Sequence, residues 1–368
     1  MTLAESAEAF APFAAMAEGQ HEELVFWRDR VTGLRTIVAI HDTTLGPALG
    51  GTRMYPYPTE AAAVEDALRL AGAMTLKSAA AGLDVGGGKA VIIGDPNTDK
   101  SEVLFRAYGR FLESMGGRYV TTTDVGTTTA DLDMIARETR FVAGTSTALG
   151  GSGDTSILTG LTVYLGMKAA AREAFGRDDL GKRTVVVQGV GKVGWQLVKR
   201  LRAENAVLII ADTDAERARR AGEEFNARVV GIDDVWDTPC DILSPNALGA
   251  VLNDETIPRL RCRVICGGAN NQLAEERHAA ALQARDILYA PDFIVNCGGV
   301  INIADEMRGN YSEARATAHA HQVYETTRHV LKTARAEQIT TEEAGVRFAQ
   351  ARIRAIGDIH RTYLPVWR

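Results

Sequence analysis

The chain has 368 residues, 46% of them hydrophobic and 24% charged, with a formal net charge of −6. That length suits two domains that each bury a core, and no apolar run approaches the roughly 18 residues of a membrane span. The acidic balance tells against a nucleic-acid partner, which calls for a clustered basic face; an excess of glycine, 36 residues where an average protein carries about 7%, is left to explain.

The first twenty residues lack a basic leader and carry acids within their apolar stretch, so no signal peptide is expected. Phe26 and the run Thr36–His41 read as strands. Thr59 is placed to cap a helix whose apolar face is Val64, Leu68, Ala71 and Met74. Ala90–Ile93 reads as a short strand closed by Gly94-Asp95-Pro96, and Ser101 as the cap of a helix presenting Val103, Leu104, Ala107, Tyr108, Phe111 and Leu112 on one face. A domain boundary is expected near Gly150-Gly151-Ser152-Gly153. From Thr155 the pattern is regular: a helix near 157–175, strand Thr184–Gln188, a glycine loop, helix Val193–Ala203 and strand Val207–Ala211. Shorter strands follow at Asp241–Leu243, Val264–Cys266 and Ile287–Tyr289, and the chain beyond about 325 reads as helical. Strands alternating with helices predict βαβ units and a parallel sheet, an α/β fold.

Cys240, Cys262, Cys266 and Cys297 form no CxxC pair and read as reduced thiols of a cytoplasmic protein. The histidines show no metal-ligand spacing, so no metal is expected. Arg217, Arg219 and Arg220 sit among Asp212, Asp214, Glu216, Glu223 and Glu224, the pattern of a solvated helix face.

Glycine clusters at 50–51, 86–88, 150–153, 189–194, 267–268 and 298–299, usually beside an apolar run, where a missing Cβ lets backbone approach a ligand. In TVVVQGVGKVG, Gly189, Gly191 and Gly194 spell G-x-G-x-x-G between an apolar strand and an amphipathic helix. Those glycines, with the backbone of Val190, Lys192 and Val193, suit a dinucleotide pyrophosphate at a helix N-terminus; a plain loop is the alternative. Asp212 ends the next strand, where a carboxylate accepts from ribose hydroxyls and repels a 2′-phosphate, favouring NAD; it also reads as a turn residue opening Asp212-Thr213-Asp214, and Arg217 and Arg219 leave room for NADP. Lys77 and Lys89 lie in apolar, small-residue stretches, where a desolvated lysine can serve as anion anchor or base; a solvated surface charge is the alternative.

These segments resemble one family. ALGGTRMY, AMTLKSAAAGLDVGGGKAVIIGDP, GRYVTTTDVGT, VVVQGVGKVG, GGANNQL and YAPDFIVNCGGVINIADEM are similar, in order and over nearly the whole chain, to the glutamate/leucine/phenylalanine/valine dehydrogenases. The resemblance implies a substrate-binding and oligomerisation domain at 1–148, a Rossmann-type doubly wound NAD-binding domain at 149–325, and C-terminal helices at 326–368 that pack back toward the first domain, with the active site in a cleft. It implies that Lys77 binds the substrate α-carboxylate, that Lys89 is the base activating water for attack on an imino acid, and that Asp124 moves protons at the substrate amine. Gly50 and Gly51 would pass close to the substrate, Thr159 would bond the nicotinamide carboxamide, and Asn270, with Asn271 as a companion, would lie near the nicotinamide or substrate. The implied reaction is reversible, NAD-dependent deamination of an L-amino acid to a 2-oxo acid and ammonia, by a homo-oligomer.

For the side chain, the resemblance points to Leu49, Thr122, Val300 and Ile303. Leu49 stands where glutamate dehydrogenases carry a lysine, so a dicarboxylate would meet an apolar wall. Val300 and Ile303 suit leucine, valine or isoleucine, whereas AGAMTLK is closer to the phenylalanine-type enzymes, which keeps an aromatic substrate as the alternative. A non-catalytic NAD or amino-acid sensor on the same fold is a second alternative, and a Schiff-base lysine enzyme using Lys89 a third; intact Lys77, Lys89 and Asp124 argue against the former and the dinucleotide motif against the latter.

Overall fold

The computed structural model describes residues 11–360. They form two compact units, one running to Gly153 and joined by the chain from Ile353, the other spanning Asp154–Arg352.

The first unit contains α1 (Pro12–Glu18), β1 (Glu23–Arg28), β2 (Arg35–Asp42), β3 (Ala48–Tyr55), α2 (Glu60–Ala80), β4 (Gly86–Ile93), α3 (Glu102–Ser114), β5 (Tyr119–Thr123) and α4 (Thr129–Ile135). Its sheet has the order β1-β2-β4-β3-β5, antiparallel at β1-β2 and β2-β4 and parallel elsewhere. Side chains alternate across the pleat, so each strand feeds two cores. Val38, Ile40, Ala90 and Ile92 pack with Phe105, Tyr108, Leu112, Leu132 and Ile135 on α3 and α4. Ile37, Ala39 and Val91 turn the other way, onto Val64, Ala67, Leu68 and Ala71 of α2. Local chemistry starts the helices: Thr59 accepts from the Ala62 N–H, Ser101 from that of Leu104, and Thr128 forms a capping box with Asp131.

The second unit holds α5 (Ser156–Phe175), β6 (Thr184–Gln188), α6 (Lys192–Ala203), β7 (Val207–Ala211), α7 (Ala215–Phe225), β8 (Arg228–Val229), β9 (Ile242–Pro245), β10 (Val264–Ile265), α8 (Arg277–Gln283), β11 (Leu288–Tyr289), α9 (Asp292–Val295), α10 (Gly298–Met307), α11 (Glu313–Ala320) and α12 (Val323–Glu337). The last helix, α13 (Thr341–Ile359), begins here. All six strands are parallel, in the order β11-β10-β9-β6-β7-β8. That is the doubly wound order in which the chain leaves the central strand in both directions, and ligands bind at the carboxyl ends of the strands where the order reverses. Such strands are buried on both faces, which is why β6 and β7 read as unbroken apolar runs. The expected α/β architecture is present, and α12 lies against α5 within this unit. No helix of the described residues is long and apolar enough to cross a membrane.

One half-buried acid sets a pH dependence. Glu342, in the first turn of α13, lies near Asp292 and Glu276; burial foremost, then those two carboxyls, pushes its pKa up from 4.5 to about 8. Between those values the unfolded chain sheds a proton that the folded chain keeps. The contribution of this group is therefore full below the unfolded value and is lost as pH rises toward the folded one. Glu342→Gln is expected to match the parent near pH 4 and to exceed it by about 2 kcal/mol near pH 8.5, a figure discounted for partial exposure. Thermal unfolding midpoints across that range check this; a variant less stable than the parent near pH 8.5 removes the account.

Candidate active site

In the first unit, β4 lies beside β3 and β3 beside β5. Their adjoining positions gather the charged residues. Lys89 Nζ stands 3.0 Å from Asp124 Oδ2, and the lysine is only 4% exposed. Burial foremost drives the Lys89 ammonium toward its neutral form and outweighs the opposing pull of Asp124. Burial acts first on Asp124 too, tending to keep its proton on, but Lys89 and then Arg53 override it and hold the carboxyl below its ordinary range. Arg53, on β3, donates from Nε to Asp124 Oδ2 at 2.8 Å. The pair thus combines a lysine poised to lose its proton with a carboxylate that stays charged, which is an acid–base arrangement.

Asp124 is held from its backbone as well. Its N–H donates to Thr127 Oγ1 at 3.0 Å, and that hydroxyl donates to the Thr52 carbonyl at 2.7 Å. Thr52 joins Tyr108 and Thr121 through buried hydroxyls at 2.6 and 2.5 Å. Leu49, opposite Gly87 and Val120, is fully buried, and Thr122 pairs with Gly51. Lys77 lies in the last turn of α2, half-buried.

The glycines of clusters 50–51 and 86–88 lie within β3 and β4. A Cβ on Gly50 would collide with the Gly88 carbonyl, and one on Gly87 with Thr75 of α2. What they make room for in this structure is the protein's own neighbouring strand and helix.

In the second unit, the loop from Gly189 leads into α6. Gly189 has φ +87°, the left-handed turn that glycine takes freely. A Cβ on Gly194 would meet the Gly189 carbonyl, so that glycine lets helix and loop close up. Gly191, the N-cap, has nothing within 4 Å of a Cβ, so the space beside it is open, and no side chain caps the helix. An open backbone cradle at an uncapped helix N-terminus fits a pyrophosphate. Asp212 Oδ2 accepts from the Val190 N–H at 2.8 Å, tying the end of β7 to the loop. Its Oδ1 accepts from the Asp214 N–H at 2.9 Å, so the turn role is real, and a carboxylate has further lone pairs for a ligand. Arg217 faces Asp212 and Asp214, and Arg219 pairs with Glu216 and Glu223, so both cations are partnered by carboxylates on the exposed α7.

Asn270 Oδ1 accepts from Asn296 Nδ2 at 2.9 Å. The Asn296 amide oxygen is buried without a hydrogen-bond partner, an acceptor open to a bound group. Thr159 is near this place: its hydroxyl would lie 3.3 Å from a Cβ on Gly299, the residue before Val300. Asn271 adopts φ +51°, Val300 is half-buried and Ile303 buried. Arg53 and Asn296 both escaped sequence reasoning. Only their position inside the quoted motifs could have flagged them, because Arg53 and Asp124 are 71 residues apart.

A second cluster has the look of a metal site. Asp254, Glu275 and His278 bring ligand atoms within 4.8 Å of one another, but Arg277 bridges the two carboxylates at 2.5 and 2.8 Å, which makes it an ion-pair network.

Comparison with known proteins agrees with this geometry. Residues 21–141 match the family described as Glu/Leu/Phe/Val dehydrogenase, dimerisation domain, and residues 213–361 match Glutamate/Leucine/Phenylalanine/Valine dehydrogenase. The chain is 51% identical to a leucine dehydrogenase of Bacillus cereus, over 96% of each chain. It is 49% identical to a valine dehydrogenase of Streptomyces coelicolor, over 91% of this chain and 93% of the relative. Its fold superposes on the crystal structure of L-tryptophan dehydrogenase from Nostoc punctiforme with a TM-score of 0.82 and 40% identity, covering 94% and 99% of the two chains. With a paired lysine and aspartate in one unit, an open backbone cradle at a helix N-terminus in the other and half-identical relatives along nearly its whole length, this chain belongs to the Glu/Leu/Phe/Val dehydrogenase family.

Proposed function

We propose that the protein catalyses the reversible oxidative deamination of an aliphatic branched-chain L-amino acid to its 2-oxo acid and ammonia, with NAD as cofactor. The observation that carries this reading is the pair of buried Lys89 and half-buried Asp124 at 3.0 Å. Lys77 holds the substrate α-carboxylate. Lys89, neutral for part of the cycle, takes a proton from the water that adds to the imino acid, and Asp124 moves protons at the nitrogen. When bound, NAD supplies the hydride-accepting nicotinamide. Gly189, Val190, Gly191, Lys192, Val193 and Gly194 would cradle its pyrophosphate, Asp212 its ribose, and Thr159, Asn270 and Asn271 its nicotinamide end. NAD is favoured over NADP because Arg217 and Arg219 are already paired with carboxylates. Leu49, Thr122, Val300 and Ile303, with Gly50 and Gly51, would bound the side chain; Leu49 offers no charge to a dicarboxylate. The match to a family region described as a dimerisation domain supports a homo-oligomer, and four free thiols suit a reducing cytoplasm.

The test is NADH absorbance with NAD⁺ and L-leucine, L-valine, L-isoleucine, L-phenylalanine or L-glutamate. The branched-chain substrates are expected to turn over fastest. Fastest turnover of phenylalanine replaces the aliphatic reading with the aromatic one, and silence with all five ends the enzyme reading.

The cradle has its own check. Gly191 has φ −64°, outside the left-handed region, and a Cβ there meets no protein atom. Gly191→Ala is expected to leave the unfolding midpoint unchanged and to weaken NADH binding tenfold or more, about 1.4 kcal/mol. Undiminished NADH affinity by fluorescence titration would place the dinucleotide elsewhere.

A further inference from the structure

Behind Lys89 the charges continue in a chain. Arg53 spans two carboxylates, with Nε on Asp124 Oδ2 and Nη1 on Asp66 Oδ2, both at 2.8 Å. Asp66, on α2, also accepts from the Tyr57 hydroxyl at 2.7 Å and from Arg69 Nη2 at 2.9 Å. The charged groups in contact with Asp124 are thus Lys89 from β4 and Arg53 from β3, with Asp66 and Tyr57 behind Arg53 and Arg69 beyond Asp66; Lys77 lies further along α2. Tyr119, on β5, gives its hydroxyl to the Gly50 carbonyl at 2.6 Å.

The need for such a chain follows from the chemistry. If Lys89 gives up its proton, Asp124 loses a counter-ion while largely shielded from water. A buried carboxylate without a partner takes up a proton, and the acid–base pair is then in the wrong state. Arginine never titrates in the working range, and its planar fork reaches two carboxylates at once. It is the residue type that can keep Asp124 charged while Lys89 cycles. Asp66, in turn, fixes which edge of the guanidinium Asp124 sees.

Resting on the function proposed above, we propose that Arg53, braced by Asp66, is a positioning residue for the deamination: it fixes Asp124 Oδ2 beside Lys89 Nζ and serves as the permanent counter-ion of Asp124 when Lys89 is neutral. Arg53 favours the ionised carboxyl and the uncharged amine alike, so its removal moves both titrations the same way. The two groups titrate as a pair, and the acidic limb of kcat/KM reports them together.

The experiment compares kcat/KM against pH for the parent enzyme, Arg53→Gln, Arg53→Lys and Asp66→Asn, with L-leucine and NAD⁺. In Arg53→Gln the acidic limb is expected to move up by about one pH unit or more, with kcat near neutral pH down about 10- to 100-fold and partly recovered in alkali. Arg53→Lys, which returns the charge without the fork, brings the limb back toward its parental position but restores only part of the rate. Asp66→Asn removes a negative charge that favours the charged amine and leaves Arg53 to Asp124 alone, so its limb is expected to move down, opposite to Arg53→Gln; if Arg53→Gln does not fold, an Asp66→Asn limb that fails to move down overturns the proposal. An unmoved limb, or a rate loss uniform across pH, overturns the proposal. If Lys89→Ala remains active, the reading of the site itself has failed; if Lys89→Ala is dead and the Arg53→Gln limb is unmoved, only the role of Arg53 has failed.

Discussion

Lys89→Ala is expected to lower kcat by about 10³-fold or more, within the upper range for removal of a general base, while NADH binding stays within about twofold. The division follows from where the residue lies. Lys89 sits on β4 in the first unit, whereas the open backbone cradle at Gly191 belongs to the second. Loss of fold is not the expected cause. Removing one member of a buried ion pair usually strands its partner at a cost of several kcal/mol, but Asp124 keeps Arg53 at 2.8 Å. The unfolding midpoint should therefore fall by only a few degrees. Lys89→Arg separates the base role from that of a fixed cation: arginine restores the charge but cannot be deprotonated near neutral pH. A Lys89→Arg variant with substantial turnover would contradict the base assignment, and lost NADH binding in folded Lys89→Ala would contradict the division of labour.

The parts legible in the sequence are those in which burial and function write the same local signal. Strand β6 is an uninterrupted apolar run because helices cover both faces of a parallel sheet, and the glycines that follow keep a fixed spacing because the turn, the open cradle and the helix contact each need one. Thr59 and Ser101 announce their helices for an equally local reason, since a cap bonds an N–H three residues away. Strand β3 did not announce itself. ALGGTRMY carries two glycines in its interior, which lowers its apparent strand character, and the same is true of β4, where the expected start at Ala90 moves back to Gly86. These glycines are fixed by close contacts with neighbouring elements, and no window of sequence displays that. Arg53 is hidden for a related reason. Its partners Asp66 and Asp124 are 13 and 71 residues away, and an arginine in a strand looks the same whether it faces water or two carboxylates. Lys89 was legible only because few charges surround it in sequence; what lowers its proton affinity is the burial that β4 imposes.

Gly50→Ala carries the largest expected effect on stability. A Cβ on Gly50 points at the Gly88 carbonyl, an atom of the neighbouring strand and not the movable end of a side chain, with Lys89 Cα a further contact at 3.3 Å. Neither strand can yield cheaply. Strand β3 is paired on both sides, by β4 and β5, and β4 is paired by β2 and β3. The carbonyl of Gly50 also receives the buried Tyr119 hydroxyl, so rotating the peptide away would break that bond. Overpacking of this kind costs about 3 kcal/mol where the surroundings cannot relax, which for a unit of this size lowers the midpoint by about 6–12 °C. Any folded remainder should be nearly inactive. Forcing β3 from β4 at Gly50 separates the strand that carries Arg53 from the strand that carries Lys89, and a displacement of about 1 Å in such a site can cost 100-fold in rate. Gly191→Ala is the internal control, the same chemical change at a glycine with open space beside it. Calorimetry of the two variants gives the comparison: a Gly50→Ala midpoint within about 2 °C of the parent would show that the strands part easily, and the account of why β3 holds glycine there would fall.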